Sequence, residues 1–529
     1  MAQKRRYGIG TQTFQDFIER NGVYVDKTSY VYKMAHAAGK YFFLSRPRRF
    51  GKSLLLDTIR CYFEGRRDLF RGLAIDAMET EWTVYPVIRI DLSNGKYYEK
   101  ERLHGTLSGL LRDHEQRWNV EVHDEYNYDD RLKSIIQAAW RQTGRGVVVL
   151  VDEYDAPMLD SIDKPDLQDY IRERIRNLFS PLKSQSEYLR FVFLTGISKF
   201  SQLSVFSELN NLNVLTFDPE YEGVCGITEE ELLTQLQPDI EWLTESLKFW
   251  GDIDYDGTVA QLKSMYDGYH FSRRMTDIYN PWSLFNAFEK GDIEKFWFST
   301  GTPTSLIKLM RMRHFDLSGM ERLEATLEQF DAPTERISDP VPVLFQSGYL
   351  TIKDIDRRKR SYILGFPNEE VRRGFASSLY LYYADGDWTG RNLMLKVFDD
   401  MRFGKATIEQ LIDAIRQWYT MIPYSISNKN ERHYQSLLYA VFVAIGADVT
   451  AETQTASGRM DMVLKMSDAI YIIELKYDKT AKQAVDQIIE KNYASLFAND
   501  CRPVYAVGLN IDSELRTISS WQVEPIHRE

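Results

Sequence analysis

The chain has 529 residues, of which 43% are hydrophobic and 27% are charged, and its formal net charge is −11. This length predicts two or three domains, and the composition is typical of a folded globular protein rather than a disordered chain. The acidic balance excludes a uniformly basic coat for nucleic acid, so any contact with a polyanion must come from local patches.

Two further features exclude membrane and disulfide-rich classes. No apolar stretch approaches the roughly 20 residues that a membrane-spanning helix needs, and the basic start, residues 1–6, leads into no apolar signal region. The three cysteines, Cys61, Cys225 and Cys501, are far apart and odd in number. They predict neither a disulfide framework nor a zinc site, and they suit a reducing cytoplasm.

The first motif is the triplet Gly51–Ser53, which lies between the apolar run Tyr41–Leu44 and the helical pattern Leu54–Arg60. Strand, loop and helix in this order are the setting of a phosphate-binding loop, where backbone N–H groups point at a phosphate. Lys52 would contact the β- and γ-phosphates of ATP, and the Ser53 hydroxyl would ligate Mg²⁺. The predicted nucleotide contacts in this loop are Arg49, Phe50, Gly51, Lys52, Ser53 and Leu54.

The loop departs from the usual pattern at one position, because Arg46 stands where the first glycine is expected. A second motif therefore carries weight: the β-branched run Gly146–Val151 ends in Asp152 and Glu153. Such a run predicts a strand buried in a parallel sheet, and α/β sheets bind ligands at the carboxyl ends of their strands. Asp152 would hold Mg²⁺, and Glu153 would orient and deprotonate the attacking water.

A third strand, Arg190–Gly196, contains Thr195 near its end, which could sense the γ-phosphate or simply form a turn. Strands alternating with helices at 98–118 and 130–143 predict a three-layer α/β domain. The segment 7–28 contributes either a helix cap at Asp26 or Thr28 or part of a nucleobase pocket.

The chain beyond Glu222 is predicted to be mostly helical, with aromatic residues that form either the core or a base-stacking surface. Two strand patterns then flank Asp356–Arg360, which predicts a hairpin with a basic tip after the short apolar helix Val341–Phe345. The tip is either the wing of a winged helix that touches phosphate or a solvated turn. The best linker candidate is Pro423–Asn430.

The last hundred residues contain a second group of charged side chains. Asp461 lies on one predicted strand, and Glu474 and Lys476 lie on the next, where residues two apart face the same side. Two converging carboxylates form a site for Mg²⁺ or Mn²⁺, and an adjacent lysine can position the attacking water. Glu431, at the start of the preceding helix, could add a metal ligand. The alternative is a surface salt bridge between Lys476 and Glu474.

Taken together, these motifs resemble bacterial proteins that join an AAA-ATPase-like domain to a C-terminal PD-(D/E)xK nuclease domain. The resemblance covers nearly the whole chain and lies in Tyr24–Thr28, Arg46–Ser53, Val151–Asp155, Thr195–Ser201, Asn280–Ser283, Asp461 and Glu474–Lys476. Arg46 in the loop is typical of this family, whereas Met460 replaces the proline expected before the first nuclease carboxylate.

The resemblance implies ATP and Mg²⁺ as cofactors, with Mn²⁺ an option at the nuclease site. It implies a P-loop ATPase domain at 1–225, a helical and winged-helix-like region at 226–422 and a restriction-endonuclease-like α/β domain at 423–529. The expected partners are DNA or RNA and, as an option, further copies of the chain in a homo-oligomer. The expected function is an ATP-regulated, metal-dependent nuclease in the cytoplasm, connected with defence or mobile elements. The alternative is an ATP switch that binds nucleic acid or a partner without cleaving. Arg48, Arg49 and Lys199 are the candidates for an arginine finger.

Overall fold

A computed structural model describes residues 4–93, 95, 97–161, 164–198, 212–249, 251–297, 318–332, 339–383, 389–422, 430–455 and 458–526. The chain divides into two compact units. The first unit is Met1–Trp297 with Ala325–Tyr362, and the second is Phe298–Glu324 with Ile363–Glu529. The predicted domain boundaries at 225 and 422 stay a prediction. Most of the proposed linker, 423–429, and Lys199 lie outside the described residues.

The first unit is built on a five-stranded sheet in which every described strand pair is parallel. Its strands are β1 (Tyr41–Ser45), β2 (Val87–Asp91), β3 (Val147–Asp152), β4 (Leu189–Gly196) and β5 (Leu212–Val214). Their order in the sheet is β2–β3–β4–β1–β5. All six residues of β3 are buried, which confirms the prediction from its β-branched run.

Helices pack on this sheet and complete the α/β layers. The described helices up to residue 224 are Phe14–Glu19, Thr28–Ala35, Lys52–Phe63, Ala74–Met78, Lys100–Arg117, Tyr128–Thr143, Ala156–Asp160, Pro165–Phe179 and Pro181–Ser184, with 3₁₀ turns at Arg67–Phe70, Ser186–Tyr188 and Pro219–Val224. One core cluster joins β3 to the helices Lys100–Arg117, Tyr128–Thr143 and Pro165–Phe179. The predicted P-loop α/β fold is therefore confirmed.

The sheet order places the candidate residues together. β4 lies between β1 and β3, so the loop after β1, Thr195 in β4 and Asp152 at the end of β3 meet at one edge. This edge is where parallel sheets bind their ligands, because the carboxyl ends of the strands and the starts of the helices converge there.

The rest of the first unit is mostly helical, as predicted. Its described helices are Glu229–Gln235, Gln237–Leu247, Tyr255–Tyr266, Pro281–Lys290, Leu327–Phe330 and Val341–Gln346, with a short sheet of β6 (Ile227–Thr228) and β7 (Ile278–Tyr279). Tyr266 and Phe288 are buried in the core of this part, which confirms the core interpretation for these two aromatics, whereas Phe249 is exposed.

A three-stranded sheet contains the predicted hairpin. Its strands are β8 (Leu323–Ala325), β9 (Thr351–Asp356) and β10 (Ser361–Gly365), in the order β8–β10–β9. The tip of the hairpin, residues 357–360, is exposed. The preceding helix Val341–Gln346 is buried along its whole length, so it has no free face with which to read a groove.

The second unit contains a five-stranded mixed sheet with flanking helices. Its strands are β11 (Asp448–Thr455), β12 (Gly458–Lys465), β13 (Ile470–Tyr477), β14 (Val504–Asp512) and β15 (Thr517–Ile526), paired in that order. Its helices are Glu369–Tyr383, Thr389–Arg402, Ile408–Met421, Glu431–Ala444 and Ala481–Glu490, with 3₁₀ turns at Ser318–Glu321 and Tyr493–Phe497. This sheet confirms the predicted restriction-endonuclease-like fold.

Among the described strand pairs of this second sheet, only β13 and β14 are parallel. A parallel pair needs a crossover connection, and the helix Ala481–Glu490 supplies it. Gly508 in β14 permits this packing: a Cβ there would meet the carbonyl oxygen of Ala481 at 2.1 Å. The helix can therefore lie directly over the sheet and reach the side chains of β13.

Two exclusions made from the sequence can be compared with the structure. Within the described ranges, no helix combines the length and the apolar character that a bilayer crossing requires. The three cysteines are free thiols, with Cys61 and Cys225 buried and Cys501 exposed.

Candidate nucleotide site and candidate nuclease site

The phosphate loop joins β1 to the helix Lys52–Phe63 and turns sharply before the helix begins. Gly51 has a φ of +91°, a conformation that side chains with a Cβ rarely adopt, and Arg49 also has a positive φ of 66°. No atom lies within 4 Å of the place where a Gly51 Cβ would be, so the backbone angle and not crowding requires glycine. The helix start is thereby presented at the sheet edge.

The Lys52 ammonium is buried and lies against the loop. It donates to the carbonyl oxygens of Arg46 and Pro47, each at 3.0 Å. Burial lowers the pKa of Lys52, while the nearby carboxylates of Glu153 and Asp152 act in the opposite direction. The structure thus brings the predicted phosphate-binding lysine close to the predicted acidic pair.

Asp152 is buried at the end of β3, and neither of its carboxylate oxygens has a hydrogen-bond partner of ordinary length among the described residues. Burial raises the pKa of Asp152 to about 6, with the Ser53 hydroxyl and the Lys52 ammonium acting against this rise. Glu153 follows with a φ of +46° and a half-buried side chain. A buried carboxylate without a partner needs an explanation, and a bound cation is one.

Three more oxygen atoms at the same edge lack a partner among the described residues: Thr195 Oγ1, Ser198 Oγ and Asp155 Oδ1. The second oxygen of Asp155 accepts from the N–H groups of Ile197 and Ser198 at 2.9 and 2.6 Å. Asp155 therefore holds the chain after β4 beside the acidic pair. A group with many hydrogen-bonding atoms and associated cations, such as a nucleotide triphosphate with Mg²⁺, fits these free oxygens.

An apolar cavity of about 70 Å³ flanks the phosphate loop at Gly51 and Leu54. Tyr24 and Val25 line one side of it, and Cys225 lines another. The segment predicted to contribute either a cap or a base pocket thus does line a cavity beside the loop. Asp26 also binds the first turn of the next helix, because its Oδ1 accepts from the N–H of Thr28 at 2.8 Å.

The sequence did not predict that a set of aromatic side chains from distant parts of the chain would pack against residues of the phosphate loop. The rings of Tyr269 and Phe271 lie 4.8 and 5.7 Å from the ring of Phe50. The Arg49 guanidinium lies 4.2 Å over the ring of Trp282. These residues are more than 200 positions from the loop in the sequence, so no local pattern connected them with it. We call Tyr269, Phe271 and Trp282 the aromatic frame.

In the second unit, the structure brings Asp461, Glu474 and Lys476 together. Asp461 Oδ2 accepts from the N–H of Leu475 at 2.8 Å. Lys476 Nζ donates to Glu474 Oε1 at 3.2 Å, and Gln487 of the crossover helix donates to the same oxygen. Glu474 and Lys476 are 2% and 9% exposed, so their ion pair is not the surface salt bridge that the alternative interpretation supposed.

Burial and the Asp461 charge raise the pKa of Glu474 to about 8, although Lys476 acts against the rise. Glu474 Oε2 is buried and has no partner among the described residues. Both observations describe a carboxylate that lacks sufficient positive charge in the protein itself. A divalent cation between Asp461 and Glu474 would supply it, and oxygen ligands suit Mg²⁺ or Mn²⁺.

Glu431 does not join this pair. It is the first residue of the helix Glu431–Ala444, and Gln435, one turn further, donates to Asp461 Oδ1 at 3.4 Å. Within the described ranges, however, no three His, Cys, Asp or Glu side chains are close enough to share a metal ion. In this structure Glu431 therefore forms no three-carboxylate group with Asp461 and Glu474, and its role as a ligand stays a prediction. Gln435 and Gln487 contact the two carboxylates.

Comparisons with known proteins match the two parts of the chain that contain these residues. The family described as "Predicted AAA-ATPase" matches residues 8–206, and the PD-(D/E)XK nuclease superfamily matches residues 429–521. A relative from Azotobacter chroococcum mcd 1, described as "Uncharacterized protein in vnfD 5'region", is 33% identical over 541 residues and covers 99% of both chains. The solved structure of the Aeropyrum pernix ORC2 protein is 12% identical, covers 67% of this chain and 93% of its own, and has a TM-score of 0.24, which is too low to support a statement about this chain. The full-length relative and the two matches establish that the chain belongs to the family of proteins that combine an AAA-ATPase-like domain with a PD-(D/E)XK nuclease superfamily domain.

Proposed function

We propose that the protein binds and hydrolyses ATP in its first unit and cleaves phosphodiester bonds of DNA or RNA in its second unit. The observation that carries the proposal is the same in both places: buried carboxylate oxygens, of Asp152 and Glu474, have no partner among the described residues. Each lies close to a buried lysine, Lys52 or Lys476. A buried carboxylate beside a buried lysine, present in both units, fits the phosphate and metal chemistry of the two families.

In the nucleotide site, Lys52 would bind the β- and γ-phosphates, and Ser53 and Asp152 would hold Mg²⁺. Bound Mg²⁺ supplies charge neutralisation on the phosphates. Glu153 would accept a proton from the attacking water, and Thr195 would hydrogen-bond the γ-phosphate. The apolar cavity next to Gly51 and Leu54 would receive the nucleobase.

In the nuclease site, Asp461 and Glu474 would hold the divalent cation, which supplies Lewis-acid polarisation of a phosphate oxygen when bound. Lys476 would orient the attacking water. Gln487 would keep Glu474 in place through its hydrogen bond to Oε1. Glu431 remains a candidate ligand only if the start of its helix moves closer when the metal binds.

A second function deserves the same test, because one observation favours it. Among the described residues no third His, Cys, Asp or Glu side chain joins Asp461 and Glu474, so a metal ion there would have few protein ligands and would be held weakly. The protein would then be an ATP-driven switch whose nuclease-like unit binds nucleic acid or a partner without cleaving. We assign either activity to the cytoplasm, since three free cysteines suit a reducing compartment.

The deciding experiment incubates the full-length protein with Mg²⁺ or Mn²⁺ and a panel of single- and double-stranded DNA and RNA, with and without ATP. Metal-dependent cleavage that is absent in Glu474→Ala supports the nuclease. ATP hydrolysis with nucleic-acid binding but no cleavage under any condition supports the switch. Absence of both ATP hydrolysis and cleavage contradicts the proposal as a whole. Homo-oligomerisation, defence and mobile-element roles stay predictions that these assays do not address.

A further inference from the structure

Arg46 occupies the position of the first glycine of the phosphate loop and is 1% exposed. Its φ is not positive, in contrast to those of Arg49 and Gly51 in the same loop. Glycine is therefore not required at position 46 on conformational grounds, since only a left-handed backbone would favour it. The loop can carry a side chain there without strain.

The Arg46 guanidinium binds backbone and an aromatic ring that lie mostly outside the loop. Nη1 donates to the carbonyl oxygens of Ser45 and Thr216 at 3.0 and 2.8 Å, and Nη2 donates to that of Tyr221 at 3.2 Å. The guanidinium carbon lies 4.0 Å from the centre of the Phe271 ring. A planar fork that donates in several directions and stacks on a ring is particular to arginine.

The backbone of Arg46 is joined to residues of the nucleotide site. Its N–H donates at 3.3 Å to the carbonyl of Gly196, the residue after Thr195. Its carbonyl oxygen accepts from Lys52 Nζ at 3.0 Å. A movement of Arg46 would therefore displace an acceptor of the Lys52 ammonium and a neighbour of Thr195.

Arg46 is also charged under ordinary conditions. Burial lowers the pKa of its guanidinium to about 10, so it remains protonated at neutral pH. The charge is directed at carbonyl oxygens and the Phe271 ring, in a place from which solvent is excluded. The Arg46 side chain thus connects segments inside the protein and is not a solvent-exposed ligand for phosphate.

We infer that Arg46 is a positioning residue that fixes the phosphate loop to the aromatic frame and so sets the position of Lys52. The inference rests on the proposed nucleotide site and adds a role for the residue that breaks the usual loop pattern. It has an unusual consequence: restoring the glycine at position 46 should harm nucleotide binding, because the hydrogen bonds and the ring stacking of the guanidinium disappear and the loop backbone gains freedom.

The test measures the affinity of full-length protein for a fluorescent ATP analogue with Mg²⁺, and separately the melting midpoint without nucleotide. We expect Arg46→Gly to lower the affinity by about tenfold or more at a temperature well below its melting midpoint. Arg46→Lys should lower it less, because lysine keeps the charge and one donor direction but loses the fork and the stacking.

The matched control is Arg131→Lys in the same unit. Arg131 is another buried arginine with several hydrogen bonds, to Glu115 and to Ser108, and it belongs to the helix Tyr128–Thr143, away from the loop. This variant should have a lower melting midpoint and an unchanged affinity for the analogue. Affinity within about twofold of the parent in both Arg46→Gly and Arg46→Lys overturns the inference, and so does an equal loss of affinity in Arg131→Lys.

Phe271→Leu provides a second variant in case Arg46→Gly does not fold. It removes the ring beneath the guanidinium and leaves the loop sequence intact, so we expect a loss of affinity in the same direction, of about two- to fivefold. Unchanged affinity in both Phe271→Leu and Arg46→Lys overturns the inference. If the parent protein binds no ATP, both the proposed nucleotide site and the inference are wrong. If the parent and the variants bind ATP with equal affinity, only the inference is wrong.

Discussion

Lys52 donates to two neutral carbonyl oxygens in the loop, and a phosphate would offer its ammonium a charged acceptor instead. Lys52→Ala is therefore expected to lower the affinity for ATP by about a hundredfold or more, while the melting midpoint changes little. Titration with a fluorescent ATP analogue measures the first quantity, and calorimetry measures the second.

Lys40→Ala is the matched control for Lys52→Ala, because Lys40 also donates to two backbone carbonyls, of Ser186 and Leu189, at the opposite end of β1. Its ATP affinity should equal that of the parent. Unchanged affinity in Lys52→Ala would exclude Lys52 from the nucleotide site.

At the second site, each of Asp461→Ala, Glu474→Ala and Lys476→Ala should abolish metal-dependent cleavage and leave ATP hydrolysis unchanged. The two carboxylate variants should also bind Mn²⁺ more weakly. Lys476→Ala should retain the Mn²⁺ affinity of the parent, because the positively charged lysine ammonium does not coordinate a metal ion. Asp468→Ala, in the exposed turn between β12 and β13, is the control and should behave as the parent. Cleavage that persists in both carboxylate variants would contradict the nuclease assignment.

The raised pKa of the buried Asp267 carboxyl group predicts that the free energy of unfolding of the first unit depends on pH. Burial, with the Asp277 charge, raises its pKa from 3.8 to about 7. Between these values the folded protein keeps this proton while the unfolded chain has lost it, so the free energy of unfolding falls as pH rises. Asp267→Asn removes this contribution and should stabilise the first unit by about 1 to 3 kcal/mol at pH 8, with little difference near pH 4.

Melting midpoints of Asp267→Asn and parent across this pH range provide the measurement. Asp76→Asn, at a more exposed carboxylate of the same unit, serves as the reference substitution. A gain for Asp267→Asn that is the same at pH 4.5 and pH 8 would show that the carboxylate is not held protonated.

At the scale of elements, the β9–β10 hairpin presents Arg357, Arg358, Lys359 and Arg360 in an exposed turn. The turn is ordered by Asp356, whose Oδ1 accepts from the N–H groups of Arg358 and Lys359. The preceding helix is buried, so a hairpin contact with nucleic acid would be made through phosphates and would carry no base specificity.

Replacing Arg357, Arg358 and Arg360 by Gln should therefore weaken binding of all duplex sequences alike. The slope of log affinity against log salt should become shallower by up to about 3, because each arginine that no longer neutralises a phosphate reduces the slope by roughly one. Replacing Arg66, Arg67 and Arg71 by Gln removes the same charge elsewhere in the first unit and should leave the slope unchanged. Equal slopes in the parent and the hairpin variant would make the tip a solvated turn.

At the scale of the whole molecule, two sites in one chain raise the question of coupling. Glu153→Gln should retain ATP and Mg²⁺ but stop hydrolysis, because an amide cannot accept the proton of the attacking water. The protein would then accumulate with ATP bound. A ligand shifts a conformational equilibrium only by its different affinity for the two states, so nuclease activity in this variant reports the state that ATP favours.

We expect ATP to raise nuclease activity in Glu153→Gln, as it would if ATP favours a state with an accessible second site. Activity that disappears with ATP and returns after nucleotide removal would reverse the sign of the coupling. If ATP changes the cleavage rate in neither the parent nor the variant, the two sites are independent enzymes that are merely joined in one chain.

The sequence by itself determined the elements that depend on local chemistry. The β-branched run before Asp152 predicted a buried strand, the Gly51–Ser53 triplet before a helical pattern predicted the phosphate loop, and the alternation around Glu474 placed it beside Lys476 on one face of a strand. Hydrophobic period and backbone sterics act over a few residues, so these features could be read without the fold.

The tertiary structure decided what depends on residues far apart in the chain. Only the strand order places Thr195 beside Asp152, and only packing brings Phe271 under the Arg46 guanidinium and Gln487 to Glu474. Glu431 is a further example of what the sequence could not predict. Its helix was predicted, but the distance of Glu431 from the two carboxylates depends on how that helix packs. Side-chain contacts across elements follow from packing, which no local pattern encodes.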